Sequence, residues 1–224
     1  MRGCGEAFTV RLIGALTVAL IAVCLWLIAA DAYGGDGTQR TRVTIPAHSL
    51  QYRVTLHRET SRRWGLDAPT ARIAAQLHQE SRWQADARSP FAEGLAQFVP
   101  RTAAWIPEIC PEVGDPDPWD PYWSIRAAVC FDHWLWQRAE GATPCDRWAF
   151  ILSDYNGGRT WRIREQTLAA AVALDRQRWF DHVETQRARS LDAWRENRGY
   201  VRRILTVLEP AYVAAGWPGG SACV

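Results

Sequence analysis

QLHQESRWQADARSPFAEGLAQFVPRTAAW, residues 76–105, joins the end of one helical pattern to the start of another across a polar turn. Upstream of it, Asp67 is placed to cap a helix over residues 68–82 that tolerates Pro69 in its first turn. Ile73, Leu77 and Glu80 fall at i, i+4 and i+7 and share one stripe of that helix. Two of the three are apolar, so the third carries a carboxylate onto the face that should meet the core. Desolvation there disfavours the charged form, raises the pKa and suits a general acid working near neutral pH. The structural reading of the same residue is an ion pair with an arginine.

The residues that follow favour the chemical reading. Glu80-Ser81, Ser89, Gly94-Leu95-Ala96-Gln97 and Pro100-Arg101-Thr102-Ala103 come in that order, with Tyr155-Asn156-Gly157-Gly158 and Glu196-Asn197-Arg198-Gly199-Tyr200-Val201 further on. Together they resemble the motifs of the lytic transglycosylase family, the SLT-type, lysozyme-like enzymes that cut peptidoglycan. The likeness covers about residues 61–212. It implies a mainly α, lysozyme-like helical domain in which one Glu does the work of acid and then base. By that resemblance Glu80 protonates the leaving oxygen of a MurNAc-β-1,4-GlcNAc bond. It then takes the proton from the C6 hydroxyl, which closes on C1 to give a 1,6-anhydro product.

The resemblance also assigns supporting roles. Ser89 is expected to hydrogen-bond the substrate near the reacting centre, or else to cap the turn before Pro90. Gln97 is expected to line the groove and bond the acetamido sugar, Tyr155 and Asn156 to sit opposite Glu80, and Tyr200 to reach the site from the last helix. Glu196 is expected to anchor helices through arginine pairs. Neither cofactor nor metal is called for. Two departures stand out: the chain is one residue short between Ser89 and Gly94, and Ala96 stands where Met is frequent. Hydrolysis of the muramidase kind is the alternative. It needs a second carboxylate roughly 6.5–9.5 Å from the first, for which Asp154, Asp86 and Glu93 are candidates. A non-catalytic glycan-binding or scaffold component of an envelope-spanning machine or phage assembly is the alternative of another class.

Composition sets the frame. The 224 residues allow one ordinary domain with accessory segments, and 48% hydrophobic content is enough for a sizeable core. All 26 Lys+Arg positions are arginine, and a net charge of +2 gives no ground for a nucleic-acid partner. Residues 12–30 form an uncharged apolar run that would reach about 28 Å as a helix, close to the hydrocarbon core of a bilayer. Arg2 and Arg11 precede it, so the rest of the chain is sent across the membrane, to the periplasm. Residues 1–32 thus read as a signal peptide or signal anchor, 33–60 as linker and pre-domain segment, and 61–224 as the catalytic domain. Cys110, Cys130, Cys145 and Cys223 suggest two disulfides in an oxidising compartment, with three connectivities open. His78, His133 and His182 lie far apart and read as structural.

Further helices are expected from residue 120 to about 140, around Trp148–Tyr155, over 160–175, over 184–196, and along Val201, Ile204, Leu205 and Leu208 before Pro210. Residues 43–54 alternate loosely and read as extended, 107–121 as a proline-rich loop, and the arginine-dense run 187–203 as a solvated helix face.

Overall fold

Pro100, Pro121 and Pro144 each open a helix, because their missing N–H falls where a first turn has no partner for one. Side chains complete two of these starts: Asp120 accepts from the backbone N–H of Tyr122 and Trp123, and Thr143 from that of Asp146. The computed structural model describes residues 43–223. The expected signal peptide or anchor over 1–32 and residues 33–42 of the expected linker and pre-domain segment lie outside the described residues. Among the described residues no helix is long and apolar enough to cross a membrane, and strand pairing is confined to the isolated bridges Arg88–Glu93 and Glu93–Phe98.

The helices are α1 (Arg53–Trp64), α2 (Thr70–Ser81), α3 (Pro100–Ile109), α4 (Pro121–Trp136), α5 (Pro144–Gly157), α6 (Arg159–Ala171), α7 (Leu191–Arg203) and α8 (Glu209–Ala214). At the centre runs α2, buried on almost every side from Thr70 to His78. Its polar residues are matched inside the domain. Arg72 pairs with Glu209 at 2.6 Å, Gln76 donates to Asp132, and His78 Nδ1 meets the Tyr212 hydroxyl. Burial and nearby arginines push His78 down to about 4, which fits its structural reading. Around α2 pack α1, α8 and the wide turn Ile204–Leu208, while α4 lies against α1 and α5, and α5 against α6 and α7.

Several expectations are corrected. Asp67 does not cap α2: it sits exposed in the short turn Gly65–Asp67, and Pro69 holds the cap position. The Ala71 N–H left free by that cap donates instead to the Pro218 carbonyl at 2.8 Å. The extended reading of residues 43–54 fails beyond Pro46, whose backbone is extended. Ala47–Tyr52 is a 3-10 turn leading into α1, and Ser49, Tyr52 and Leu56 are buried at helical spacing. The same compact unit begins at Val43, so the expected boundary after residue 60 falls within α1. Helix α3 continues through Pro107 to Ile109; a proline this close to a helix end removes only one backbone bond. Helix α4 stops at Trp136 rather than near 140.

Residues 186–190 are not helical, and α7 starts at Leu191 with Ser190 accepting from the Ala193 N–H. Arg198 reaches back to the carbonyls of Val183, Glu184 and Gln186 and holds that segment off the helix. The arginine run is no solvated face throughout: Arg189 and Arg198 are buried and share Glu165. Beyond α7 the turn Ile204–Leu208 widens to i→i+5 bonding. Pro210 follows within the next turn, with no N–H to offer the Thr206 carbonyl and a ring that would press upon it. The disulfides join Cys110 to Cys130 and Cys145 to Cys223.

Candidate active site

Glu80 occupies the last turn of α2, where the helix ends in two successive left-handed residues, Arg82 at φ 53° and Trp83 at φ 67°. Neither is glycine, so the conformation is strained and has to be imposed from outside. Trp83 imposes it: the indole is buried, stacks on Tyr52 at 5.8 Å between centroids, and donates from Nε1 to the Tyr212 hydroxyl at 2.6 Å. The chain therefore turns sharply away just after Glu80 and leaves its carboxyl on the wall of a groove of about 480 Å³.

Glu80, Ser89, Gln97, Tyr155, Asn156 and Tyr200 all line that groove. The Tyr200 hydroxyl donates to Glu80 Oε1 at 2.5 Å. Burial pushes the Glu80 carboxyl up to about 8; the Tyr200 bond opposes this, and the negative charges of Asp132 and Glu196 add to it. The C-terminal end of a helix dipole also disfavours an anion there. No arginine is paired with Glu80 among the described residues, so the ion-pair reading fails.

The wall opposite is the loop of residues 84–99. Gly94 has φ 74°, and a Cβ there would lie 1.7 Å from the Pro118 carbonyl oxygen, so only glycine fits. Gln97 is also left-handed, at φ 48°. Its Nε2 donates to the carbonyls of Ala87 and Gly94 at 3.1 and 2.8 Å, which commits the amide hydrogens and leaves the oxygen for a ligand. Gln97 thus sits in a turn, with its side chain tied to the backbone of the loop. Ser89 Oγ accepts from the N–H of Phe91 and of Ala92 at 3.3 and 2.9 Å, so it caps its turn and lines the groove at once. Tyr155 ties α5 to this loop by donating to the Ala96 carbonyl at 2.8 Å. Phe98, Phe131 and Tyr155 pack as an aromatic floor, with centroids 5.4 to 6.5 Å apart.

On the α7 side, Asn156 is positioned by Asn197, whose Nδ2 donates to Asn156 Oδ1 at 2.8 Å and to the Ser153 carbonyl at 3.1 Å. Gly157 allows this approach, since a Cβ there would meet Arg189 Nη1 at 2.1 Å and Asn197 Nδ2 at 3.0 Å. Glu196 departs from expectation. It has no arginine partner among the described ion pairs, lines the groove, and accepts from Asn156 Nδ2 at 3.4 Å.

The acids named for a second catalytic role lie elsewhere. Asp154 is buried and gripped by Arg162 at 2.7 and 2.8 Å, Glu93 pairs with Arg88, and exposed Asp86 does not line the groove. Residues unmarked by the motifs are Gln79, exposed Phe91 and Phe131 in the lining, and buried Asp132 behind it. Ile125, Val129 and Asp132 share the i, i+4, i+7 spacing of Ile73, Leu77 and Glu80, a signal that marks Asp132 from sequence.

A helical domain whose groove wall carries a carboxyl pushed up by burial, with no cation paired to it among the described residues, has the build of a site for general acid chemistry. A family model described as the transglycosylase SLT domain matches residues 56–174, and the chain belongs to that family. It is similar to the membrane-bound lytic murein transglycosylase F of Maricaulis maris, at 32% identity over 114 residues, 50% of this chain and 24% of that protein. Among solved structures it resembles the 70 kDa soluble lytic transglycosylase Slt70 of Escherichia coli, with TM-score 0.55, 24% identity, and coverage of 74% of this chain and 24% of that one. The complex of the 70-kDa soluble lytic transglycosylase with bulgecin A matches at TM-score 0.56 and 24% identity, covering 78% of this chain and 26% of that one. At that identity the two structures speak for the fold. The chain spans about a quarter of the length of these relatives.

Proposed function

We propose that the chain is a peptidoglycan lytic transglycosylase, cleaving the MurNAc-β-1,4-GlcNAc bond and leaving a 1,6-anhydro-MurNAc end. The observation that carries this is the setting of Glu80: a groove-wall carboxyl that meets a tyrosine hydroxyl and, among the described residues, no cation, and that burial pushes up to about 8. Glu80 gives that proton to the glycosidic oxygen as the bond to C1 breaks. As a carboxylate, steadied by Tyr200, it then takes the proton of the C6 hydroxyl while that oxygen bonds to C1. Gln97 offers its free oxygen to the acetamido N–H of a sugar, and Ser89 and Asn156 supply polar contacts on either side. Family membership and the names of the relatives support the reaction class.

A hydrolase would need a carboxylate to activate water from the far face. Asp154 and Glu93 are committed to arginines, and Asp132 is sealed from solvent, which leaves Glu196 as the acid for that reading. Two disulfides and the membrane-bound relative support action outside the cytoplasm, with residues 12–30 as anchor or cleaved signal.

Mass spectrometry of muropeptides released from purified peptidoglycan tests the proposal. Anhydro-muramyl ends are expected from the full chain, and a loss of at least about a thousandfold in Glu80→Gln. Reducing muramyl ends dependent on both Glu80 and Glu196 would establish hydrolysis instead.

A further inference from the structure

Behind Glu80 lies a fully buried acid that the reaction above does not use. Asp132 is on α4, beside Phe131 of the groove floor, and is fully buried. It accepts a single hydrogen bond, from Gln76 Nε2 to Oδ1 at 3.3 Å. Gln76 lies one helical turn before Glu80 on the same face of α2 and is itself fully buried. The other oxygen of each partner, Asp132 Oδ2 and Gln76 Oε1, is buried without a partner, as is Gln79 Oε1 close by. A carboxylate joined to an amide through one N–H leaves two acceptors with nothing to accept, a costly arrangement in a dry site. A proton on Oδ2 supplies the missing donor and makes the contact a reciprocal acid–amide pair. Burial points the same way, pushing Asp132 up to about 8 against the Gln76 bond.

The groups around this acid come from three elements. Glu80 faces it from α2, Tyr155 from α5, and Tyr200 from α7, each of them destabilised as an anion by a charge on Asp132. Glu196 of α7 adds its charge to that acting on Glu80. On α4 itself His133 turns the other way, edge-on to Trp64, and on α2 His78 is bonded to Tyr212. No arginine is paired with Asp132 among the described residues.

We propose that Asp132 is a positioning residue for Glu80: bonded to Gln76 as a neutral acid behind the groove wall, it forms with Glu80 a pair that tolerates one negative charge but not two, and so keeps a proton available to the groove. The inference rests on Glu80 acting as the acid of the proposed reaction. A charge on Asp132 raises Glu80, so on this proposal the two carboxyls lose their protons in sequence, the second against the charge of the first.

The test is the pH dependence of kcat/KM on purified peptidoglycan from pH 5 to 10, for the full chain and Asp132→Asn. Asparagine keeps both contacts to Gln76 but cannot titrate. The wild-type alkaline decline is expected to spread over two steps, and that of Asp132→Asn to collapse to one single-proton step finished at lower pH. Superimposable profiles would overturn the proposal. Carboxyl carbon-13 NMR of the wild type and of Glu80→Gln gives a readout free of activity and of the folding of Asp132→Asn. Two coupled carboxyls titrating above pH 6 in the wild type, with the Asp132 signal surviving in Glu80→Gln, support the pair. An Asp132 signal titrating near pH 4 overturns it. If the wild type releases no muropeptides, the proposed reaction fails by itself, and the NMR titration still decides on the acid pair.

Discussion

Buried carboxyls occur in two regions of this domain and in two chemical states. Where α5, α6 and α7 meet, Asp154 is held by both arms of Arg162 at 2.7 and 2.8 Å. There too, Glu165 is shared by Arg189 and Arg198 at 3.0 and 2.9 Å. At the groove, Asp132 is buried as well and Glu80 half-buried, but they receive only neutral donors, from Gln76 and Tyr200. Burial pushes Asp154 upward, and the bidentate fork of the Arg162 guanidinium opposes it by favouring the ionised form. With no such fork, burial has its way with Glu80 and Asp132. Seclusion from water makes an acid, and an arginine turns it back into a strut. Every cation in the chain is an arginine, suited to the planar, two-armed grip the struts use.

The contrast can be broken first at the strut. Glu165→Ala leaves two buried guanidinium groups without their anion and is expected to cost about 3–5 kcal/mol in denaturant titrations at pH 7. A loss below about 1 kcal/mol would mean that this region is as indifferent to its carboxylate as the groove should be. At the groove the sign reverses. Burial in the fold pushes Glu80 up to about 8 from its ordinary value of 4.5. Wild-type stability is therefore lost as pH rises through that window. Glu80→Gln should match the wild type at pH 4 and exceed it by about 1–3 kcal/mol at pH 8.5, allowing for the groove's access to water. Equal stabilities at both pH values would place Glu80 among the ions. The smallest effect sharpens the comparison. Tyr200→Phe removes a donor that favours the Glu80 carboxylate, so the alkaline limb of activity should move up by about 0.5–1 pH unit. A downward shift would show that the hydroxyl serves the neutral acid instead.

How far this was legible in the sequence depended on the range of the interaction. Glu80 could be read because one helix puts it in register with Ile73 and Leu77, and its motif partners follow in order. The same rule marks Asp132, but a stripe drawn through Ile125, Val129 and Trp136 passes over it. Asp154 reads as a spare catalytic acid until the corner at Gly158 swings Arg162 of α6 onto it. Glu196 reads as an anchor until its neighbours prove to be Asn156 and the groove. The strain at Arg82 and Trp83 leaves no mark in local propensity, because it is imposed by aromatic packing with Tyr52 and Tyr212 from distant parts of the chain. Helix starts fared well where proline and a short polar side chain coincide, as at Asp120-Pro121, and less well where a distant carbonyl does the capping, as at Ala71.

That last cap bears on the order of events during synthesis. The free N–H at the head of α2 waits for Pro218. Arg72 waits for Glu209 and for the Gly220 carbonyl, 148 positions further along the chain. Contacts of such separation form late, because the long loop between them must close first. While the ribosome is still making the chain, the helix that carries Glu80 has neither its head partners nor Tyr200. The groove site around Glu80 is thus among the last parts of the molecule to exist.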